Sequence, residues 1–478
     1  MIRPSTSHAT LGSAFFDPVE PAPFPRHILR HRNQRAAASI GLDTLTDAEW
    51  IDHFGRFKPI SGSFETPLAL RYHGHQFQTY NPDLGDGRGF LFAQLHDEQG
   101  RLLDLGTKGS GRTPFSRMGD GRLTLKGGVR EVLATAMLEA MGVDTSKSLS
   151  LIETGEELER HDEPSPTRAS VLVRLSQGHI RIGSFQRVAY LGETVNLEKL
   201  LDYSLETYMP GIAPPGDNAR AEKFLAEVAR RVAATGGDWI AAGFVHGVLN
   251  SDNINVTGES FDYGPWRFLP HYDPAFTAAY FDETGLYAFG RQPDALAFNL
   301  TRLAECLLPL GEQSQLEKAL NNFWPAFRRS MSDACLRRLA LEPMGEERDS
   351  ELTTAIFAFL AASQIPYEQF WFDWRGGTAS SGRATLSPAA EAYASELFFP
   401  LRGLFEFYSP TSSANLDHPY FARRLPRSML IDEMEAIWAP IAESDDWSAL
   451  AVALAEIEEM REAYQADRKS SIRPGTSS

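Results

Sequence analysis

The sequence predicts an α+β protein with two lobes, of which the first is rich in strands and the second is helical. Residues 60–125 are dense in glycine and aromatic residues and contain short apolar runs such as GFLFAQL and RLLDLGTK. From about residue 196 the apolar residues recur at helical spacing, as in AEKFLAEVARRVAATGGDWIAAG. This change of period indicates where the first lobe ends and the second begins.

Four regions are predicted along the chain. Residues 1–60 are Pro-rich near the start and form an N-terminal extension that docks on the body, and residues 61–195 form the strand-rich first lobe. Residues 196–430 form the helical second lobe, in which the segment WRGGTASSGRATLSP is interpreted as a flexible lid or linker. Residues 431–478 contribute C-terminal helices and a disordered tail.

The composition is that of a soluble globular protein, with 42% hydrophobic and 23% charged residues. The net charge of −17 argues against a broad nucleic-acid footprint, and no apolar run reaches membrane-spanning length. We therefore predict a cytoplasmic protein without a nucleic-acid or membrane partner. The two cysteines, Cys306 and Cys335, lie in apolar helical patterns and are predicted to be buried thiols, without a disulfide or zinc role.

The clearest predicted helix is GGVREVLATAMLEAMG, residues 127–142, whose apolar residues share one face. Lys108 ends the apolar strand RLLDLGTK, and Glu131 lies in the helix that follows it. A strand lysine paired with a helix glutamate is the ion pair that positions nucleotide phosphates in protein kinases. We predict this ion pair here, with an ordinary surface lysine as the alternative.

A glycine-rich turn, LGDGRGF, precedes Lys108. Its glycines, which include Gly85 and Gly87, let backbone N–H groups approach an anion closely, and Arg88 adds a positive charge. The turn therefore favours a phosphate site, although a tight turn with a solvated arginine fits the same residues.

A second turn, GDGR, contains Asp120 and Gly121 and is predicted to face the same region. Arg112, Arg117 and Arg122 lie around it. Such a concentration of positive charge in an acidic protein is a candidate for binding phosphate.

The segment VLVRLSQGHIRIGSF is predicted to place Arg174 in one strand and Arg181 in the next. An arginine between Val173 and Leu175 points away from their apolar face, into a cleft or into solvent. Both arginines are candidates for binding phosphate, and structural salt bridges are the alternative.

The polar loop HGVLNSDNINVTGESFDYGP, residues 246–265, lies between apolar runs and is predicted to join the two strands of a hairpin. Asn253 and Asp262 are expected to converge across this hairpin. An amide oxygen and a carboxylate suit a hard divalent cation such as Mg²⁺.

Protein kinases combine a catalytic-loop asparagine with the aspartate of Asp-Phe-Gly in this way. Aligned with H-R-D-L-x-x-x-N, His246 and Asn253 take the first and last places, but Val248 occupies the position of the catalytic aspartate. Because valine accepts no proton, either the site is inactive or another group serves, and Asp252 is the candidate base. An Asx-rich turn beside an unrelated acid is the plain alternative.

The histidines of YHGHQF, His73 and His75, share a face if the segment is a strand, and could supply half a zinc site. No third ligand is evident in the sequence. We therefore interpret them as core or turn histidines that form hydrogen bonds.

Together these segments resemble the selenoprotein O family of kinase-like protein adenylyltransferases. The resemblance runs in family order from about residue 70 to 305 and is carried by the motifs YHGHQF, YNPDLGDGRGF, KGSGRTPFSRMGDGR, VREVLA, VLVRLSQGHIRIGSF, HGVLNSDN, FDYGP and YDPAF. It implies a two-lobed protein-kinase-like fold with an N-terminal extension and extra C-terminal helices. It also implies metal-dependent transfer of AMP from ATP to Ser, Thr or Tyr hydroxyls of proteins, with the nucleotide flipped relative to ordinary kinases.

The resemblance also implies a role for each matching residue. Asp252 would be the proton acceptor, Asn253 and Asp262 would hold Mg²⁺ or Mn²⁺, and Glu131 would pair with Lys108. The residues implied to bind the nucleotide are Gly85, Gly87, Arg88, Lys108, Asp120, Gly121, Arg174 and Arg181.

Other functions stay open at this point. UMP transfer from UTP is associated with the same family. A conventional kinase disagrees with Val248 and with the additional arginines. A non-catalytic pseudokinase scaffold explains Val248 but not the presence of Asn253, Asp262 and Lys108.

Overall fold

The computed structural model describes residues 1–161, 163–214 and 216–464, and the predicted disorder of the C-terminal tail lies outside these residues. The fold is α+β, as the sequence predicts, because an antiparallel sheet in the first part of the chain is followed by helices. The strands are β1 (Pro4–Ser5), β2 (Phe16–Pro18), β3 (Ile28–Arg32), β4 (Leu68–Leu70), β5 (Gly74–Gln76), β6 (Thr79–Asn81), β7 (Leu91–His96), β8 (Leu102–Lys108), β9 (Leu123–Thr124), β10 (Lys147–Leu158), β11 (Thr167–Ser176), β12 (Phe244–Val245) and β13 (Arg267–Phe268).

One antiparallel sheet has the strand order β2-β4-β7-β8-β11-β10-β3, with β1 added beside β7 and β9 beside β11. The predicted runs GFLFAQL, RLLDLGTK, SLSLIETG and ASVLVRLS coincide largely with β7, β8, β10 and β11. Residues 1–60 supply β1, β2 and β3, so the N-terminal extension forms part of the sheet.

The helices follow the patterns of apolar residues in the sequence. They are α1 (Gln34–Ser39), α2 (Asp47–Phe54), α3 (Leu125–Ala140), α4 (Ile182–Tyr190), α5 (Thr194–Tyr208), α6 (Arg220–Ala242), α7 (Gln292–Leu307), α8 (Gln313–Asn321), α9 (Phe323–Leu339), α10 (Glu346–Ser363), α11 (Tyr367–Asp373), α12 (Ser381–Leu386), α13 (Ala390–Ala394), α14 (Phe399–Phe405), α15 (Ile431–Ser444) and α16 (Ser448–Tyr464).

Both faces of the central strand β11 are buried, which explains its nearly continuous apolar sequence. Val171 and Val173 face the core formed with α1 and α2, and Leu172 faces the core formed with α3. The helix α3 begins at its cap residue Thr124, whose side chain accepts a hydrogen bond from Gly127 N–H. The sheet is therefore enclosed between the N-terminal helices and α3.

The second half of the chain packs around α6, which lies against α7, α8 and α9. The late helix α16 returns to the first half and packs on α3. Cys306 and Cys335 are buried free thiols, as predicted, and burial raises the pKa of each to about 12. Among the described helices, none combines the length and the apolar character needed to cross a membrane.

Three local predictions are wrong. The strand Phe244–Val245 pairs with Arg267–Phe268, whereas INVTG, residues 254–258, forms no strand, so the predicted hairpin is replaced by a longer connection. Arg181 precedes α4 and forms only an isolated bridge with Asn255, so it does not lie in a strand. The supposed flexible Gly/Ser segment is helical over residues 377–386, where buried Arg375 donates hydrogen bonds to the carbonyls of α9.

Candidate active site

Two neighbouring strands direct their cations toward α3. Lys108 of β8 lies opposite Leu172 of β11, and Gly106 lies opposite Arg174. Directly paired residues share a face of the sheet, and so do residues two apart along a strand. Lys108 and Arg174 therefore both project on the face that Leu172 shares with α3.

Glu131, which lies in α3, forms ion pairs with both of these cations. Lys108 Nζ lies 2.7 Å from Glu131 Oε2, and Arg174 Nη1 lies 3.5 Å from Glu131 Oε1. All three residues are buried. A buried carboxylate needs such partners, because leaving one charge unpaired in the interior is strongly unfavourable.

Asp262 completes the arrangement from the helical half of the chain. Its Oδ1 lies 3.0 Å from both Lys108 Nζ and Arg174 Nη1. The backbone of Asp262 has φ of 63°, a left-handed conformation that is uncommon outside glycine and concentrates at functional sites. We call Lys108, Glu131, Arg174 and Asp262 the four-residue cluster.

The charges around Asp262 dominate its ionisation. Burial raises its pKa, but Lys108, Arg174, Arg181 and Arg88 outweigh burial and hold the pKa well below the ordinary value. Asp262 is therefore ionised throughout the neutral range. Its side chain is 25% exposed, so one side of this carboxylate faces solvent.

Asn253 lies beside the cluster and donates a hydrogen bond from Nδ2 to Asp262 Oδ2, at 3.1 Å. Its Oδ1 is buried and has no hydrogen-bond partner among the described residues. A buried amide oxygen without a partner next to an ionised carboxylate fits a hard cation, which takes oxygen ligands. This amide and this carboxylate are therefore the candidate ligands for a divalent cation. The described ranges contain no group of three or more His, Cys, Asp or Glu side chains suited to a metal.

Asp252 lies in the 3₁₀ turn Ser251–Asn253 and is half-buried. Its Oδ1 is buried and lacks a hydrogen-bond partner among the described residues. Burial raises its pKa to about 6, while the positive charge of Arg181 acts in the opposite direction. A carboxylate with this pKa is ionised at neutral pH and is more basic than an exposed aspartate.

Arg181 lies close to these acids, although it is not in a strand. Its Nη2 lies 3.3 Å from Asp86 Oδ1, and its guanidinium stacks 4.2 Å from the centre of the Tyr72 ring. Asp86 also accepts a hydrogen bond from Leu70 N–H at 3.0 Å, which fixes the carboxylate. Asp86 is not among the residues predicted from the sequence, although its position inside the glycine-rich turn LGDGRGF is a signal for it.

The glycine-rich turn packs against residues 113–116. A Cβ atom on Gly85 would lie 2.3 Å from the Phe115 ring, and one on Gly87 would lie 3.1 Å from Phe115 O. The glycines therefore allow close packing of two turns, in addition to any approach to an anion. Arg88 is exposed, and its charge reaches Asp262.

The second turn has separate contacts. Asp120 is exposed and forms an ion pair with Arg160 Nη1 at 2.8 Å, and Gly121 has φ of 72° and packs against Gly111. Neither contact involves the four-residue cluster. Of the three arginines nearby, Arg122 pairs with Glu156, Arg112 donates to the carbonyl of Gly119, and Arg117 lies close enough to Asp252 to lower its pKa.

His246 is a structural residue of the loop. It is buried, and burial lowers its pKa, so the neutral ring donates from Nε2 to Phe261 O at 3.0 Å. This bond ties the start of the loop to the residue before Asp262. Val248 is half-buried and packs against the core.

The two early histidines also form hydrogen bonds. His73 Nδ1 lies 2.7 Å from Tyr80 Oη, and His75 Nδ1 lies 2.6 Å from Gln186 Nε2. These contacts agree with the interpretation of hydrogen-bonded turn histidines.

Comparison with known proteins supports the resemblance drawn from the motifs. A family model described as Protein adenylyltransferase SelO matches residues 3–458. Protein nucleotidyltransferase YdiU of Synechococcus elongatus is 44% identical over 458 residues, 92% of this chain and 92% of that protein. The proteins of the same name from Gloeobacter violaceus and Vibrio vulnificus are 43% and 37% identical, over 92% and 76% of this chain and 91% and 73% of their own lengths. The chain therefore belongs to the SelO family of protein adenylyltransferases and is an enzyme of the nucleotidyltransferase class.

Proposed function

We propose that this enzyme transfers AMP from ATP to Ser, Thr or Tyr hydroxyls of proteins. The observation that carries the proposal is that Lys108 and Arg174 of the sheet meet Asp262 of the helical half, beside Asn253 and with Asp252 in the same loop. Cations for a triphosphate, oxygen ligands for a metal and a basic carboxylate are thus available in one region. This combination suits attack on a nucleotide phosphate.

In the proposed reaction the acceptor hydroxyl oxygen attacks the α-phosphorus of ATP. A bond forms between that oxygen and phosphorus, the bond from the α-phosphorus to the bridging oxygen breaks, and pyrophosphate leaves. The hydroxyl proton passes to the Asp252 carboxylate. The raised pKa of Asp252, about 6, supports this role because the group is both ionised at neutral pH and a better base than an exposed aspartate.

The remaining residues are proposed to hold the nucleotide. Asn253 and Asp262 would hold Mg²⁺ or Mn²⁺, which, when bound, neutralises phosphate charge. Lys108, kept in place by Glu131, would contact phosphate, as would Arg174 and Arg181. The turn residues proposed to contact the nucleotide are Gly85, Gly87, Arg88, Asp120 and Gly121.

The proposal includes a two-lobed protein-kinase-like fold in which the nucleotide is flipped, so that the α-phosphorus and not the γ-phosphorus faces the acceptor. Val248 at the usual position of the kinase base supports this difference from a phosphotransferase. The protein acceptors, the domain boundaries at residues 60, 195 and 430, and the cytoplasmic location stay predictions.

Labelled nucleotides test the proposal directly. The enzyme is incubated with Mg²⁺ or Mn²⁺ and with ATP labelled at either the α- or the γ-phosphate, and label retained on protein is measured. We expect retention from α-labelled ATP only. Retention from γ-labelled ATP only would indicate a kinase, and label from α-labelled UTP in place of ATP would indicate UMP transfer. Absence of nucleotide binding would leave a scaffold as the remaining function.

A further inference from the structure

The hairpin formed by β5 and β6, residues 74–81, lies against the loop that carries Asp252. Its turn residues Phe77 and Gln78 have φ of 48° and 62°, the paired left-handed conformation of a two-residue hairpin turn. In this register, the backbone N–H groups of Gly74 and Gln76 face Asn81 and Thr79 on the other strand of the hairpin. The backbone N–H groups of His75 and Phe77, which alternate with them, therefore point away from the hairpin, as on any edge strand.

Those outward N–H groups are satisfied by the two residues that precede Asp252. His75 N–H donates to Ser251 Oγ at 2.7 Å, and Phe77 N–H donates to Asn250 Oδ1 at 3.1 Å. Both acceptor residues are buried. The edge of the hairpin thus binds side chains of the loop in place of a further strand.

Each acceptor is oriented by a further partner. Ser251 Oγ donates to Gln186 Oε1, and Gln186 Nε2 donates to His75 Nδ1 at 2.6 Å. With the bond from His75 N–H to Ser251 Oγ, these contacts close a ring of three residues. Asn250 Oδ1 also accepts from Tyr287 Oη at 2.8 Å. Hydrogen bonds that close a ring fix the geometry more firmly than isolated ones.

Asp252 itself has no such support. Its Oδ1 lacks a hydrogen-bond partner among the described residues, so the carboxylate depends on its backbone for position. The hairpin approaches closely at Gly74, where a Cβ atom would lie 3.0 Å from Asp252 Oδ1 and 3.2 Å from Ser251 Oγ. An alanine there would press on the carboxylate.

From these contacts we infer that the hairpin 74–81 is a positioning element for Asp252. It acts through Ser251 and Asn250, and holds the carboxylate where the acceptor hydroxyl must arrive. The inference rests on the proposed function, because that function assigns Asp252 as the proton acceptor. Displacing a catalytic group by a fraction of an ångström is enough to slow a reaction strongly.

Hydrogen exchange tests the structural part without any turnover. In the wild-type protein the amides of His75 and Phe77 are expected to exchange slowly. Ser251→Ala should speed exchange at His75, whereas Thr79→Val, an exposed substitution on the other strand of the hairpin, should leave it unchanged. Rapid exchange at both amides in the wild type would overturn the inference.

Kinetics test the catalytic part, with Ser251→Ala and Gly74→Ala as independent variants. We expect kcat to fall by about tenfold to a hundredfold, while the Kd for ATP stays within about twofold of wild type. The number of active molecules is counted by titration of ATP-binding sites, so that kcat is expressed per active molecule. A purely structural role would reduce the amount of active enzyme and leave kcat per active molecule at the wild-type value, and that result would contradict the inference.

Failure of the proposed function gives a different pattern. If the wild-type enzyme retained no label from α-labelled ATP, the function and the catalytic part of this inference would both fall. The exchange experiment would still decide whether the hairpin holds the loop.

Discussion

Ion pairs are buried in both halves of this protein, but they differ in how they are held. Arg338 of α9 and Glu368 of α11 form a one-to-one pair at 2.6 Å inside the helical half, with 2% and 6% of their side chains exposed. The guanidinium also donates to Ala241 O and stacks on Trp371. Both residues have ordinary helical backbone, and the pair joins two helices.

The four-residue cluster differs from this pair in the number of charges, in backbone conformation and in exposure to solvent. Two cations and two carboxylates share it, and Asp262 combines a left-handed backbone with a side chain that is 25% exposed. Asn253 Oδ1 beside it lacks a partner among the described residues. Burial of an ion pair alone therefore does not indicate function. Unsatisfied atoms do not separate the two sites either, because Glu368 Oε2 also lacks a hydrogen-bond partner among the described residues. Backbone strain together with partial exposure distinguishes the four-residue cluster.

Removing Asp262 should have the largest effect. We expect Asp262→Ala to lower the rate of AMP transfer by on the order of 10⁴-fold, about 5 kcal/mol, because both the proposed metal ligand and one of the two carboxylate partners of Lys108 are lost. The fold should persist, since Glu131 still pairs with Lys108. Asp202→Ala, which removes a surface ion pair with Arg220, is the matched control and should retain the wild-type rate. Transfer unaffected by Asp262→Ala would show that the metal ligand is misassigned.

Removing Arg338 should have the opposite signature. Arg338→Met leaves Glu368 buried without its partner, so the free energy of unfolding should fall by about 3 to 5 kcal/mol. The rate per folded molecule should stay at the wild-type value. Arg220→Met, at the surface, should change stability by less than about 1 kcal/mol.

The double variant Arg338→Met/Glu368→Leu provides the check. It should recover much of the lost stability, because it replaces both charges with apolar groups of similar size. Denaturant unfolding of the three variants and of the wild type measures these differences in the free energy of unfolding. If Arg338→Met slowed AMP transfer without loss of stability, the Arg338–Glu368 pair would have a functional role like that proposed for the four-residue cluster. The distinction drawn between the two sites would then be wrong.

The sequence predicts correctly those elements whose pattern of apolar residues is local. The helix α3 was predicted because its apolar residues repeat at helical spacing, and β8 and β11 because they are continuous apolar runs. The ion pair between Lys108 and Glu131 was expected from the order of strand and helix alone, and the structure contains it at 2.7 Å.

What the sequence did not reveal depends on long-range contacts. Phe244–Val245 pairs with Arg267–Phe268 across a long connection, and nothing in the intervening INVTG shows that it is bypassed. The segment around Arg375 resembles a linker in composition, but it is helical over residues 377–386, and the side chain of Arg375 anchors its start to a carbonyl of α9. The sequence likewise does not predict that the hairpin 74–81 supports the loop, because the hairpin donates its hydrogen bonds to residues far along the chain.

The last two predictions concern Asp252 and separate its proposed role in catalysis from its effect on stability. Because burial raises the pKa of Asp252 to about 6 in the free enzyme, the wild-type kcat/KM should show an acid limb, with a fall that approaches roughly tenfold for each pH unit once this carboxylate is protonated. Asp252→Asn should lower kcat more than nucleotide affinity and abolish this limb.

The same substitution should stabilise the protein at high pH. Because folding raises the pKa of Asp252, the unfolded chain releases this proton more readily, and the folded state carries an unfavourable buried charge above pH 6. That penalty is absent below about pH 4, where the carboxyl is protonated in both states. Asp252→Asn should therefore have a higher Tm than wild type at pH 8, and the difference should shrink by pH 5. A Tm difference that did not depend on pH would mean that the carboxylate is solvated in the folded enzyme, and the proposed base would then have no more basicity than any surface aspartate.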